Sequence, residues 1–171
     1  MPNYRRNFIR GGTYLFTVVL ADRKSCLLTN YFDCLRVSIR RTRKSYPFCI
    51  NSWVVLPEHL HCIWTLPEGD SDYPKRWRAI KTYFCIEMAK TYPDATNKKV
   101  WQRGYWEHTI KSERDFKTHM DYVHINPLKH GYVNRVKDWP YSSFHHLVSK
   151  GVYSEKWGDK IDLVDSLNFG E

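Results

Sequence analysis

The segment LPEHLHCIWTL, residues 56–66, combines strand-forming residues with two histidines, and it decides both the fold and the site predictions. Side chains alternate between the two faces of a β-strand, so His59 and His61 project from the same face. The apolar residues between and after them face the other side, where we expect the core: Leu60, Cys62, Trp64 and Leu66. Two imidazoles placed in this way are close enough to share a metal ion.

The charge is distributed unevenly along the 171 residues, a length that suits one well-packed domain better than two. The net charge is +9, yet residues 151–171 hold two lysines against five acidic residues and read as an acidic C-terminal tail. Because this tail contributes −3, residues 1–150 carry +12, and we expect them to form a single domain. So basic a domain suggests a polyanionic partner, with a merely solubilising basic surface as the alternative.

Three features argue against a membrane-bound or secreted protein. No run of residues approaches the ~18 apolar residues of a membrane span, and the N-terminus lacks the apolar segment and cleavage site of a signal peptide. The five cysteines form no Cys-x-x-Cys pair and are odd in number, as expected for reduced thiols. We therefore expect a cytoplasmic protein.

Hydrophobic periodicity predicts elements in the order β-α-β-β-α-β, followed by a further helix. The strands are expected at residues 13–21, 48–56, 59–66 and 100–110. The helices are expected from about residue 30 to 45, from 74 to 92 and from 112 to 126, where Pro127 disfavours helical geometry in the preceding residue. This order predicts an α+β fold of the ferredoxin-like split βαβ type, an antiparallel sheet with helices on one face. We expect the added helix, which bears Tyr122, on the other face.

The added helix carries side chains that complement the histidine pair. Tyr122 and Asn126 are four residues apart and share a helix face. If this face meets His59 and His61, two imidazoles and an amide oxygen form an open three-ligand site, which suits manganese or magnesium better than a closed zinc site. Tyr122 beside a metal-bound phosphate is then a candidate nucleophile. Taken singly, such a histidine pair or such a tyrosine is more often structural, so the prediction depends on their combination.

Four segments of the sequence carry a resemblance to a known family: LPEHLHCIWTLP (56–67), WQRGYWEHTIKSERDF (101–116), YVHINPLKHGYV (122–133) and WPYSSF (139–144). Together they resemble the HUH-type single-tyrosine transposases, and most of all their REP-associated branch, which handles repetitive extragenic palindromes (REPs) in bacterial chromosomes. They occur in the family's order and span roughly residues 10–150, so the resemblance implies that residues 1–150 are the catalytic domain.

The resemblance also implies residue roles. His59 and His61 match the metal-binding pair, Tyr122 matches the nucleophile, and Asn126 stands where relatives outside this branch carry a glutamine ligand. The implied cofactor is Mg²⁺ or Mn²⁺. The implied activity is metal-dependent nicking and strand transfer of single-stranded DNA through a 5′-phosphotyrosine intermediate. Its expected setting is the bacterial cytoplasm, in association with the nucleoid.

The implied substrate is single-stranded DNA beside a REP-type hairpin. We expect phosphate contacts, which position DNA without reading its sequence, from Arg5, Arg6, Arg10, Lys75, Arg78, Lys81, Lys99 and Arg103. Trp101, Tyr105 and Trp106 are candidates to stack on unpaired bases, with burial in the core as the alternative. His108 and His119 are candidates to move a proton, with a structural role as the alternative. A monomer is favoured over a dimer.

Two other functions stay open at this point. One is a catalytically silent protein that binds DNA hairpins on the same fold, against which the intact set of His59, His61 and Tyr122 argues. The other is an RNA-binding module of the ferredoxin-like class, which requires an aromatic RNP strand motif that the sequence lacks.

Overall fold

The computed structural model describes residues 5–93 and 99–159 and confirms the predicted fold class. Four strands form one antiparallel sheet in the order β2-β3-β1-β4. They are β1 (Thr13–Val19), β2 (Cys49–Val55), β3 (His59–Thr65) and β4 (Trp106–Thr109). The first and third strands along the chain are the central pair, as a split βαβ arrangement requires.

Helices cover both faces of this sheet. They are α1 (Leu27–Asn30), α2 (Phe32–Ser45), α3 (Tyr73–Thr91), α4 (Glu113–Lys129) and α5 (Phe144–Ser149), with a 3₁₀ turn at Val136–Asp138. The paired helices α2 and α3 pack on one face, while α4 crosses β2 and β3 on the other. The tyrosine-bearing helix is therefore on the predicted side.

The strand alternation predicted for β3 separates two cores. Leu60, Cys62, Trp64 and Leu66 are buried in the larger core beneath α2 and α3, as expected. There the rings of Trp64 and Trp77 stack with centroids 4.3 Å apart. On the other face, Ile63 packs with Val123 of α4 in a smaller core. Because both faces of β3 are covered, its two histidines are held in a rigid, water-poor setting.

The predicted end of the tyrosine-bearing helix was wrong. Helix α4 continues through Pro127 to Lys129, and the backbone N–H of His130 still donates to the Asn126 carbonyl at 2.9 Å. A residue before proline is biased away from helical geometry, but tertiary packing can override that bias. Here Ile125 and Asn126 are both fully buried, so burial of the last turn outweighs the local preference.

Two further element boundaries differ from the prediction. The fourth strand is only four residues long, because Gly104 adopts a left-handed φ of 80° that interrupts the extended run after Trp101. Trp101 instead forms a single bridge with Leu20. The first long helix begins at Phe32, and the short helix α1 replaces its expected start.

Residues 151–159 pack on the domain rather than away from it. Tyr153 donates a hydrogen bond to Asp121 of α4 at 2.7 Å, and its ring lies 4.7 Å from that of Trp157. The acidic residues Asp162, Asp165 and Glu171 fall outside the described residues, so the tail stays a prediction. Among the described helices, none combines the length and the apolar character needed to cross a bilayer.

Candidate active site

Three imidazoles meet where β3 faces the end of α4. The rings of His59 and His61 lie with centroids 4.9 Å apart and almost perpendicular. Both side chains are nearly inaccessible to solvent. His130, the residue that caps α4, brings a third ring to within 5.2 Å of His59.

A polar neighbour orients each ring of the predicted metal pair. Nδ1 of His59 donates to a carboxylate oxygen of Glu58 at 2.8 Å, and the Thr17 hydroxyl lies 2.8 Å from Nδ1 of His61. Contacts of this kind fix the orientation and tautomer of metal-binding histidines. They leave Nε2 as the ring atom for a ligand. In His61 that nitrogen is buried and has no hydrogen-bond partner among the described residues.

Asn126 supplies an oxygen that is likewise buried without a hydrogen-bond partner among the described residues. Its amide nitrogen donates to the Tyr122 carbonyl one turn back at 2.8 Å. Its Oδ1 is buried and, within the described part of the chain, accepts no hydrogen bond. The side chain is near enough to His61 to act on the pKa of that ring, although the two groups do not meet hydrogen-bond geometry. Leaving such a group unsatisfied costs roughly 1–3 kcal/mol, so both atoms are suited to an additional ligand.

Burial keeps the two imidazoles of the pair neutral. It lowers the pKa of His61 well below the usual value, and the neighbouring His59 lowers it further. Burial also lowers the pKa of His59, although the Glu58 carboxylate opposes part of this effect. The neutral form is the one that binds metal. His59, His61 and Asn126, together called the imidazole site below, therefore fit a divalent cation.

Tyr122 lies directly beside this site in the same chain. Its ring packs against that of His61 with centroids 5.2 Å apart at 71°, and it is 4% exposed. The ammonium group of Lys129 lies 5.6 Å from the centre of the Tyr122 ring. The helix spacing thus places tyrosine and amide against the histidine pair.

Comparison with known proteins identifies the family. The family model described as "Transposase IS200 like" matches residues 3–126. A REP-associated tyrosine transposase of Escherichia coli (strain K12) is 49% identical over 164 residues, which cover 95% of each chain. The chain belongs to the REP-associated tyrosine transposases. A relative from Haemophilus influenzae is 43% identical to this chain over 170 residues, which cover 95% of this chain and 97% of the relative.

Two solved structures extend the comparison to three dimensions. A REP-associated tyrosine transposase bound to a REP hairpin superposes with a TM-score of 0.86 at 48% identity, covering 94% of this chain and 93% of that chain. A Deinococcus radiodurans protein superposes with a TM-score of 0.50 at 17% identity, covering 71% of this chain and 95% of its own, a likeness of fold alone.

The predicted DNA-binding residues of this transposase divide into two groups. Four of them line one cavity of about 410 Å³ between the N-terminal segment, α3 and the loop before β4: Arg6, Arg78, Lys81 and Arg103. This group is called the basic cavity below. Lys75 lies over the Tyr46 ring and lines a different cavity. The others are exposed and do not line the basic cavity: Arg5, Arg10 and Lys99.

Two of the four cavity cations already have partners in the protein. Lys81 donates to the carbonyls of Gln102 and Gly104 at 3.0 and 2.7 Å. Burial, with a smaller contribution from the charge of Arg6, lowers the pKa of Lys81 to about 8. The Arg6 guanidinium covers the Tyr105 ring at 4.2 Å. Lys81 and Arg6 therefore shape the cavity, while Arg78 and Arg103 are exposed within it.

The aromatic candidates for base stacking also separate. Trp101 is buried against Phe84, and Tyr105 packs beside Trp77. Trp106, by contrast, is 48% exposed on the edge strand β4 and lines a cavity of about 280 Å³ next to Arg103. Only Trp106 of the three presents a largely open ring.

The sequence predictions missed several residues of the site. His130 is four residues after Asn126, which is itself four after Tyr122, so extending the helical spacing by one step would have found it. Glu58 immediately precedes His59, so its position beside the histidine pair in the sequence would also have indicated it. Thr17 offered none, because its contact with His61 depends on the pairing of β1 with β3.

Proposed function

We propose that the chain is a metal-dependent single-stranded DNA endonuclease and strand transferase that acts beside REP-type hairpins. The observation that carries the proposal is the packing of Tyr122 on His61, within a set of buried nitrogen and oxygen atoms suited to a cation. Membership of a transposase family supports this reading of the geometry.

In the proposed mechanism His59, His61 and Asn126 would hold Mg²⁺ or Mn²⁺. When bound, such a cation would supply Lewis-acid stabilisation of the charge that develops on the oxygens of the scissile phosphate. Glu58 and Thr17 hold the two rings in the orientation that presents Nε2. The rigid backing of β3 keeps this arrangement in place before substrate arrives.

The reacting group is the Tyr122 hydroxyl. Its oxygen forms a bond to phosphorus as the bond from phosphorus to the 3′ oxygen breaks. The phenolic proton passes to solvent, and the leaving 3′ oxygen gains a proton. The products are a 5′-phosphotyrosine and a free 3′-hydroxyl. Because one ester replaces another, a second 3′-hydroxyl can reverse the step without an external energy source.

The substrate assignment draws on charge and on the relatives. A solved relative is bound to a REP hairpin, and this chain is 48% identical to it. The basic cavity offers Arg78 and Arg103 to DNA phosphates, which position the strand. The nucleophile and the imidazole site lie in one chain, which supports a monomer that acts in cis. The relatives are bacterial, which supports action in the bacterial cytoplasm on nucleoid DNA.

The test is cleavage of a labelled single-stranded oligonucleotide that contains a REP-type hairpin, with Mg²⁺ or Mn²⁺ present. The wild type is expected to cut one strand and to form a denaturant-resistant covalent adduct, whereas Tyr122→Phe forms neither product nor adduct. Tyr153→Phe is the matched control, since it removes a partly buried tyrosine hydroxyl that donates to Asp121 of α4. It is expected to retain both activities.

Cleavage and adduct formation by Tyr122→Phe would refute the assigned nucleophile. Hairpin binding without an adduct in either protein would instead favour the catalytically silent binding protein.

A further inference from the structure

A second group of metal-binding side chains lies at the opposite end of α4. Nε2 of His108, on β4, is 3.1 Å from both carboxylate oxygens of Asp115. Nδ1 of His119 is 2.8 Å from Oδ1 of the same carboxylate and also 2.8 Å from the Asp115 backbone carbonyl, a contact that a bound ion would replace. One ligand atom from each of the three residues lies within 4.8 Å of the other two. These three residues are called the Asp115 cluster below.

The fold holds this cluster in place from two directions. The Ser112 hydroxyl accepts from the Asp115 N–H at 3.1 Å and so caps the start of α4. The Lys111 N–H donates to Oδ2 of Asp115 at 2.8 Å. The strand brings His108 to the carboxylate, while His119 reaches it from one turn further along the helix. The ligand set is therefore organised by backbone contacts that require no ion.

The composition of the cluster favours a cation. The Lys111 N–H and the His108 ring both contact the Asp115 carboxylate. The rings of His108 and His119 stack with centroids 4.4 Å apart. Two imidazoles and one carboxylate held this close together suit a divalent metal, which binds the neutral form of each ring.

We propose that His108, Asp115 and His119 form a second divalent-metal site that prefers a transition metal of the zinc class. Two imidazoles and one carboxylate are a ligand set found in open zinc sites, and the carboxylate adds a negative charge that the amide oxygen of the imidazole site lacks. Three protein ligands leave a coordination position for solvent or a phosphate oxygen. The side chains of His108 and Asp115 are 31% and 20% exposed, which provides an entry path.

This site is distinct from the imidazole site. The two share no ligand, and on α4 His119 precedes Asn126 by seven residues, so about two helical turns separate them. Bound metal would occupy the ring nitrogens that face Asp115. While metal is bound there, neither His108 nor His119 can therefore serve in the predicted proton transfer.

The test counts ions bound by the full chain, with Zn²⁺ in equilibrium dialysis and Co²⁺ absorption as a spectroscopic check. The wild type is expected to bind two ions. His59→Ala combined with His61→Ala, and His108→Gln combined with His119→Gln, are each expected to lose one. His145→Gln combined with His146→Gln, which alters two exposed histidines of α5, is the matched control and should retain both.

A second measurement uses the wild type alone and so avoids any folding defect in the variants. Zn²⁺ is expected to protect His108 from diethylpyrocarbonate, read by mass spectrometry, while the exposed His146 stays reactive. The same ion count in the wild type and in the His108/His119 variant, or no protection of His108, would overturn the proposal. Because ion counting needs no DNA cleavage, the second site can fail or succeed independently of the proposed nuclease activity.

Discussion

The two histidine groups along α4 differ in what surrounds their ring nitrogens. In the imidazole site, burial keeps the rings neutral and leaves His61 Nε2 and Asn126 Oδ1 without partners among the described residues. In the Asp115 cluster, the nitrogens meet a carboxylate, with His108 and Asp115 partly exposed and His119 buried. The first group is incomplete without a ligand, whereas the second is already satisfied by hydrogen bonds.

This difference indicates two modes of metal binding. A site with unsatisfied buried atoms gains the full benefit of a ligand, because nothing is broken when the ion enters. A site with existing hydrogen bonds must exchange them for metal contacts, so its net gain is smaller. We therefore expect the imidazole site to be needed for catalysis. We expect the occupancy of the Asp115 cluster to depend on which metal is available.

The largest effect is expected from removing a ligand of the imidazole site. His61→Gln keeps a polar side chain but loses the imidazole, so loss of metal-assisted charge stabilisation should lower the cleavage rate by about 10²–10³-fold or more. Single-turnover cleavage of the hairpin oligonucleotide measures this rate. His146→Gln, in an exposed position, is the control; a His61→Gln enzyme as fast as that control would break the comparison.

The next effect concerns the group that orients a ligand. Thr17→Val keeps the shape of the side chain but removes the hydroxyl next to His61 Nδ1. Losing such a contact should weaken Mn²⁺ affinity by about 10- to 100-fold. A Mn²⁺ titration of the cleavage rate measures it. Thr65→Val removes a hydroxyl that contacts Asn51 instead, and should leave the affinity unchanged; equal shifts in both variants would contradict the assigned role of Thr17.

Burial of imidazoles along α4 also predicts a loss of stability in acid. Burial lowers the pKa of His124 to about 4, whereas the unfolded chain takes up that proton near the ordinary histidine pKa of about 6.5. As the pH falls from 7 to 5, the unfolded state binds the proton first, and the free energy of unfolding should drop by about 2 kcal/mol from this residue.

Urea unfolding of metal-free protein at the two pH values measures this drop. His124→Gln should reduce the pH dependence by that amount, while His145→Gln, at an exposed position, should not. Identical pH dependence in the wild type and in His124→Gln would show that His124 is not the titrating group.

The smallest effect is expected in the basic cavity, which belongs to neither histidine group. Arg103→Ala should weaken binding of the hairpin DNA similarly for different sequences, because phosphate contacts carry no sequence information. It should also reduce the slope of log affinity against log salt by about 1. Arg135→Ala, which removes an exposed arginine paired with Asp138, is the control. An unchanged salt slope in Arg103→Ala would remove this residue from the interface.

Much of the fold could be predicted because it depends on local patterns. The alternation around His59 and His61 and the helical spacing of Tyr122 and Asn126 involve residues a few positions apart. The predictions failed where packing overrode a local preference, as at Pro127, where the buried last turn keeps the helix intact. They also failed at the fourth strand, where Gly104 interrupts a run whose composition favours a strand.

The sequence by itself determined that the chain has a strand with two histidines on one of its faces. It also determined that a helix carries a tyrosine and an amide together on one of its own faces. The tertiary structure decided which groups meet: Thr17 with His61 across 44 residues, and His108 with the carboxylate of Asp115. The physical reason is that periodicity assigns a side chain to a face, whereas strand register and helix packing set the distances at which faces meet. Those distances distinguish the buried imidazole site from the partly exposed Asp115 cluster, although each contains two histidines.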